Sequence, residues 1–173
     1  MPTGDNNDNN FLAALAVEAF DGLDGSDTVT YSNSNAGVTV SLVSGSVGSG
    51  GNAQGDTYVN IENITGSNYV DFLTGNSGAN ILKGGAGNDT LNGGDGGDTL
   101  NGGTGSDTII GGNGIDTVSY ENAGVYGVTV DLNLVGVAQV SQAGEAGGDI
   151  ISGIENIIGS NQADTLTGDA GIN

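Results

Sequence analysis

The chain has 173 residues, with one Lys or Arg, 21 Asp or Glu, no His, 35 glycines and a formal charge of −20. A polyanion whose single basic side chain is Lys83 cannot neutralise phosphates, which excludes nucleic acid and anionic membrane surfaces as direct partners. Without His or Cys there is no Ser-His or Cys-His nucleophile pair, no ordinary zinc site and no disulfide framework. So large a charge on so small a body opposes compaction, and hard divalent cations suit carboxylate and carbonyl oxygens.

Residues 1–5 (MPTGD) have no basic region and the apolar run from Phe11 to Phe20 is interrupted by Glu18, so the start does not read as a Sec signal peptide. No run approaches the roughly 18 apolar residues of a membrane span. From residue 4 the chain falls into weak blocks of nine. Block 4–12 places Asn9 and Phe11 at two fixed phases, 13–21 places Glu18 and Phe20 there, and 22–30 places Asp27 and Val29. A Val-alternating strand follows at 37–42 (GVTVSL), then a Gly/Ser-rich stretch at 44–55. The nonamer phase returns at 57–65 with Glu62 and Ile64, at 66–74 with Asp71 and Leu73, and at 75–83 with Asn80 and Leu82.

Four gapless copies come next: 84–92 (GGAGNDTLN), 93–101 (GGDGGDTLN), 102–110 (GGTGSDTII) and 111–119 (GGNGIDTVS). Each reads G-G-x-G-x-D-T-U-x with U aliphatic. The fixed aspartates are Asp89, Asp98, Asp107 and Asp116, and U is Leu91, Leu100, Ile109 and Val118. Beyond them lie a second alternating strand at 127–132 (GVTVDL), a variable stretch at 135–148, and IENI at 154–157, which repeats IENI at 61–64. The chain is therefore two copies of one plan, about 1–83 and 84–173, with no linker between them. It reads as one continuous solenoid rather than two domains.

Within one nonamer the first six residues are turn-formers, and the glycines let backbone approach an ion closely. Such a turn supplies neutral carbonyl ligands, and its aspartate adds a charged one. The last three residues form a short strand with its middle side chain on one face. One aliphatic residue in nine cannot make a core alone, but stacked copies pile these residues into a ladder. With two nonamers per coil, strands alternate between two parallel sheets, turn n stacks on turn n+2, and facing turns hold a metal between them.

The pattern resembles the RTX family, whose nonapeptide G-G-x-G-x-D-x-U-x binds calcium. The resemblance implies an all-β, right-handed parallel β-roll, calcium-dependent folding, and export by a type I system from a Gram-negative bacterium. It carries over residue by residue where the motif holds. The implied metal residues are Gly84, Gly85, Gly87 and Asp89; Gly93, Gly94, Gly96 and Asp98; Gly102, Gly103, Gly105 and Asp107; and Gly111, Gly112, Gly114 and Asp116, with Asp71 and Asn80 upstream. The best pairs are Asp89 with Asp107 and Asp98 with Asp116, then Asp71 with Asp89, then Asn80 with Asp98. Glu18, Glu62 and Glu155 hold the aspartate phase without the glycine frame, and Asp27 and Asp164 are intermediate. RTX exporters usually carry a secretion signal after the repeats. This chain stops in mid-nonamer at residue 173, which reads as a piece of a longer protein.

The expected function is a calcium-binding structural module, with several ions as cofactors and no enzyme activity in these residues. The alternative is a module that binds a ligand of its own, a glycan or another copy of itself, through the 37–55 and 127–148 segments. Asp24 and Asp95 occupy the variable third position and serve solubility. A threonine ladder for ice is broken at the third and fifth positions of the nonamers. Tyr31 and Tyr120, at matched places, are expected to plug the step from nonamer to wider coil. Phe11, Leu12, Leu15, Val17 and Phe20 are expected to cover the first coil. At the other end, either the last dozen residues fray or two molecules pair weakly, burying Ile157 and Leu166.

Overall fold

The computed structural model describes residues 1–121, 123–137, 139 and 146–171. Sixteen short strands make up nearly all of its regular structure. They are β1 (Asn10–Leu12), β2 (Ala19–Asp21), β3 (Thr28–Thr30), β4 (Thr39–Ser41), β5 (Thr57–Val59), β6 (Asn63–Thr65), β7 (Phe72–Thr74), β8 (Ile81–Ala86), β9 (Thr90–Gly96), β10 (Thr99–Thr104), β11 (Thr108–Gly114), β12 (Thr117–Ser119), β13 (Thr129–Asp131), β14 (Ile150–Ser152), β15 (Asn156–Ile158) and β16 (Thr165–Thr167). A single 3-10 turn covers Gly51–Ala53.

Among the described residues the strand pairings are parallel, and successive strands alternate between walls except from β4 to β5 and from β13 to β14. One wall is a seven-stranded sheet in the order β1-β3-β6-β8-β10-β12-β15. The facing wall holds β4, β7, β9, β11 and β14 as neighbours, with β2-β5 and β13-β16 as separate pairs. The register is eighteen residues: Leu82 pairs with Leu100, Leu73 with Leu91, and Leu91 with Ile109. Two nonamers thus make one coil of a parallel β-roll. Most strands turn one aliphatic inward, so Val29, Ile64, Leu82, Leu100 and Val118 face Val40, Leu73, Leu91, Ile109 and Ile151 across a narrow buried core. In the perfect repeats the strands run on into the glycines of the next turn, where Gly94 pairs with Gly112.

The 18-residue register is exceeded in the facing wall at β2-β5, β4-β7, β11-β14 and β13-β16, and in the long wall at β3-β6 and β12-β15. There Val29 pairs with Ile64, and Val118 with Ile157. After β3 the chain crosses to β4, which stacks on β7, then returns to β5, which stacks on β2. The second wall is therefore forked, and antiparallel bridges from Val47 to Thr57 and from Ser49 to Thr39 span the fork. The second copy repeats the plan, with β13 stacked on β16 and β14 on β11. Of its variable stretch, residues 138 and 140–145 lie outside the described residues, as do 172 and 173. These wide coils consume extra chain, so the long wall has seven strands rather than the nine or ten that steady 18-residue winding gives.

Tyr31 and Tyr120 are fully buried at the mouths of the two wide coils. The first coil is covered differently from the expectation. Phe20 is buried and stacks on Tyr58 with ring centroids 6.1 Å apart, and Phe11 packs partly buried against the core. Leu12, at the end of β1, and Leu15 and Val17, on the loop to β2, instead face solvent, while Ala13 alone of that loop is buried in the core.

Candidate metal centre

The turns between strands stack into two edges, and each edge is a chain of carboxylates joined through backbone amides. On one edge the N–H of Asn80 donates to Asp98 Oδ1 and the N–H of Asp98 donates to Asp116 Oδ1, both at 2.8 Å. On the other, the N–H of Asp71 donates to Asp89 Oδ1 and the N–H of Asp89 to Asp107 Oδ1, also at 2.8 Å. All four sequence-derived pairs are thus brought together. The cause is the shared register: each aspartate's carbonyl also accepts from the residue opening the strand one coil on, as when Thr108 donates to Asp89 at 2.8 Å.

These hydrogen bonds use one carboxylate oxygen. The other, Oδ2, is buried without a hydrogen-bond partner at Asp27, Asp89, Asp98, Asp107 and Asp116. A buried unpaired polar atom costs roughly 1–3 kcal/mol, and more when charged. The sole lysine, Lys83, is exposed on a strand and cannot serve five such oxygens. Burial pushes the carboxyls of Asp71, Asp98, Asp107 and Asp116 upward, and it raises Asp89, helped by the charges of Asp71 and Asp107, to about 7. A site that disfavours its own charge in this way is stabilised by a bound cation.

The glycine frame aims these oxygens. At Gly84 a side chain would run into Asp89 Oδ2 and the carbonyl of Gly102, one coil on. That carboxylate oxygen and that carbonyl therefore converge on one glycine of bare backbone. Gly93 repeats the arrangement with Asp98 Oδ2 and the Gly111 carbonyl. Gly85, at φ +115°, takes a backbone conformation that L side chains rarely adopt. Among the described residues no three His, Cys, Asp or Glu side chains cluster as a metal site. The donors are instead one or two carboxylates with peptide carbonyls, an all-oxygen set that suits a hard ion such as calcium.

The aspartates are not equivalent. Asp71 has both oxygens engaged, Oδ2 by the N–H of Ser67 and Oδ1 by the N–H of Val38 and the Ser67 hydroxyl. Asn80 accepts from the N–H of Asn76 and donates its amide to the Glu62 carbonyl. Asp164, in a similar turn, has its carboxyl held low by hydrogen bonds from Ser160 and the N–H of Val128. Asp95 is exposed and accepts only from the Asn113 side-chain amide.

Reasoning from the nonamer did not single out Asp56 and Asp149. Each enters an edge from a wide coil: Asp56 Oδ1 accepts from the N–H of Glu18, and Asp149 Oδ1 from the N–H of Asp107. Their second oxygens accept from tyrosine hydroxyls, Asp56 from Tyr31 at 3.0 Å and Asp149 from Tyr120 at 2.8 Å. Burial pushes the Tyr31 and Tyr58 hydroxyls up, so both stay protonated beside Asp56. The matched pairs Tyr31 with Tyr120 and Asp56 with Asp149 are visible as a repeat, but nothing local shows that they meet.

A family model described as the RTX calcium-binding nonapeptide repeat (4 copies) matches residues 65–100, 88–118 and 151–171. Comparison with curated proteins gives no match. The matched residues 65–118 include the turns of Asp89, Asp98, Asp107 and Asp116, whose buried Oδ2 atoms are unpaired, while Asp27 lies outside the match. Residues 65–118 and 151–171 are thus similar to the RTX calcium-binding nonapeptide repeat.

Proposed function

We propose that the chain is a calcium-folded structural module, one solenoid from residue 1 to 173, belonging to a larger protein. In this reading it stays unfolded in low calcium, folds on meeting extracellular calcium, and carries no catalysis of its own. The repeat family supports secretion from a Gram-negative bacterium through a type I system. The observation that carries the reading is the set of five buried, unpartnered Oδ2 atoms, all in nonamer or nonamer-like turns. Asp89, Asp98, Asp107 and Asp116, framed by the glycines at positions one, two and four of their turns, are the proposed principal ligand turns, with Asp71 and Asn80 subsidiary. Calorimetric titration tests it. Calcium should bind with Kd on the order of 10⁻⁴ to 10⁻³ M, and magnesium, which dehydrates reluctantly, far more weakly. Absence of calcium binding, or equal binding of magnesium, would count against it.

One observation favours a second role beside the first. A groove of about 980 Å³ is lined by Leu42, Val43 and Ser44 after β4 and by Asn76, Asp95 and Asn113 on the neighbouring edge. Its amide, carboxylate and hydroxyl groups beside exposed apolar surface suit a glycan. A glycan array probed in calcium would show binding lost in Asn113→Ala, and no binding to any glycan would dismiss this role. Self-association is a further proposal, supported by Leu166 at 44% exposure beside the partly buried Ile157. Sedimentation velocity should show a weak, calcium-dependent dimer, and a monomer at all concentrations would refute it.

A further inference from the structure

The IEN segments fit the edge ladder in a way that the nonamer pattern does not describe. Glu62 Oε2 accepts from the N–H of Asp27 at 2.8 Å, and Glu155 Oε2 accepts from the N–H of Asp116 at 2.8 Å. In the perfect repeats an aspartate of the next coil accepts that bond. The backbone agrees: the Asp27 carbonyl accepts from the N–H of Glu62 and Asn63, and the Asp116 carbonyl from the N–H of Glu155 and Asn156. Glu62 and Glu155 therefore stand in the positions of repeat aspartates, although 35 and 39 residues separate them from their partners.

The turn that carries each glutamate is short. In a nonamer, the glycine whose carbonyl faces the neighbouring carboxylate lies five residues before its aspartate, as Gly102 precedes Asp107. In the IEN turns that carbonyl belongs to Asn60 or Gly153, two residues before the glutamate. A side chain on Gly22 would run into the Asn60 carbonyl and Asp27 Oδ2, and one on Gly111 into the Gly153 carbonyl and Asp116 Oδ2. These are the same two kinds of oxygen found at Gly84 and Gly93. Both short turns use the left-handed backbone, Asn60 at φ +50° and Gly153 at φ +59°. Both are pinned by a buried isoleucine, Ile61 or Ile154. The extra methylene of glutamate makes up the reach that the shorter backbone loses.

We propose that 60–62 and 153–155 each close a calcium site against an aspartate turn, one at Asp27 and one at Asp116. This rests on reading the nonamer turns as calcium sites. Each pairing supplies a wholly buried, unpartnered Oδ2, a peptide carbonyl converging on the same glycine, and the second charge of the glutamate. The wide-coil aspartates of the other edge differ. Asp56 and Asp149 give their second oxygens to Tyr31 and Tyr120, and the three atoms nearest a side chain on Gly102 all belong to Asp107 itself. The wide coils thus carry the ion ladder through on the glutamate edge and close it with tyrosine on the other.

The test counts calcium ions bound at saturation by equilibrium dialysis, using the 173-residue chain. Glu62→Gln and Glu155→Gln should each bind one ion fewer than the unchanged chain, and the double variant two fewer. Glutamine keeps an acceptor for the Asp27 and Asp116 amides, so a purely structural role would leave the count unchanged, and that result overturns the proposal. Glu18→Gln is the control. Glu18 accepts from the N–H of Ala14 on an exposed loop, and an equal loss there would assign the effect to net charge and also overturn it. Crystals of the unchanged chain soaked in terbium give a check that needs no variant. Anomalous peaks are expected between Asp27 and Asn60 and between Asp116 and Gly153, and a blank map at both refutes the sites. If the unchanged chain binds no calcium, the nonamer reading fails first. If it binds but the double variant loses nothing, only this proposal fails.

Discussion

Asp98 touches two neighbours on its edge, accepting from the Asn80 amide and donating its own N–H to Asp116. Asp98→Ala should therefore weaken two sites and raise the calcium midpoint of folding about tenfold, equivalent to roughly 1.4 kcal/mol. Asp95, three residues earlier and also a carboxylate, is exposed and accepts from the Asn113 side-chain amide. Asp95→Ala should shift the same midpoint by less than about twofold, within the ±0.5 kcal/mol typical of surface changes. Calcium titrations of both variants followed by circular dichroism decide this, and equal shifts would contradict stacking of turn n on n+2. Protons should act on the same oxygens. The Asp89 carboxyl, raised to about 7 by burial and by Asp71 and Asp107, prefers to be protonated in the metal-free fold. A carboxyl whose folded pKa lies above its unfolded value stabilises the fold at low pH and loses that contribution as pH rises through the folded pKa. In chelator, any residual structure should thus grow as pH falls from about 7 toward 4. In calcium, the same acidification should raise the calcium midpoint, because ligands must be deprotonated to bind metal. A calcium midpoint that does not move between pH 8 and pH 6 would mean that these carboxylates are not the ligands.

In the repeats each strand contributes one inward aliphatic and leans on the coils on either side. Leu91 is fully buried between Leu73 and Ile109, so Leu91→Ala should cost about 2–5 kcal/mol, measured as loss of stability to urea in saturating calcium. In the wide coil, Tyr31→Phe would leave Asp56 Oδ2 without its hydroxyl donor and should cost about 1–3 kcal/mol by the same measurement. A neutral Tyr31→Phe would mean that water or an ion already serves that oxygen. What the sequence made legible follows this division. The nonamer encodes a turn and its strand within nine residues, so the recurring aliphatics Leu82, Leu100 and Val118 follow from periodicity, and the pairs of Asp89 with Asp107 and Asp98 with Asp116 follow from the resemblance to the RTX repeat. The fork at β4 and β5, the meeting of Tyr31 with Asp56, and the partner that Glu62, already at the aspartate phase, finds in Asp27 depend on chain that leaves and returns over 25 to 35 residues. Local pattern does not encode such returns. The exposed Leu12, Leu15 and Val17 misled for a related reason: an apolar run is a signal only when its phase points inward, and here Leu12 lies on the outer face of β1 and Leu15 and Val17 on the exposed part of the loop to β2.

Across the whole molecule, a narrow aliphatic ladder is flanked by two edges of carboxylate under a net charge of −20. The ladder alone favours the roll, but the edges oppose it wherever charged Oδ2 atoms are buried with no partner. Cations that bind the folded edges and not the open chain shift this balance by mass action, and their binding free energy becomes folding free energy. The coils share continuous walls, with β6 paired to β8 and β7 to β9 across the junction of the two copies, so loss of ions in the central repeats should unfold both copies together. The most direct measurement is far-ultraviolet circular dichroism of the chain in chelator and then in millimolar calcium. The account predicts a coil spectrum without calcium and a β spectrum with it, reversed by renewed chelation. A β spectrum that chelator leaves unchanged would contradict it.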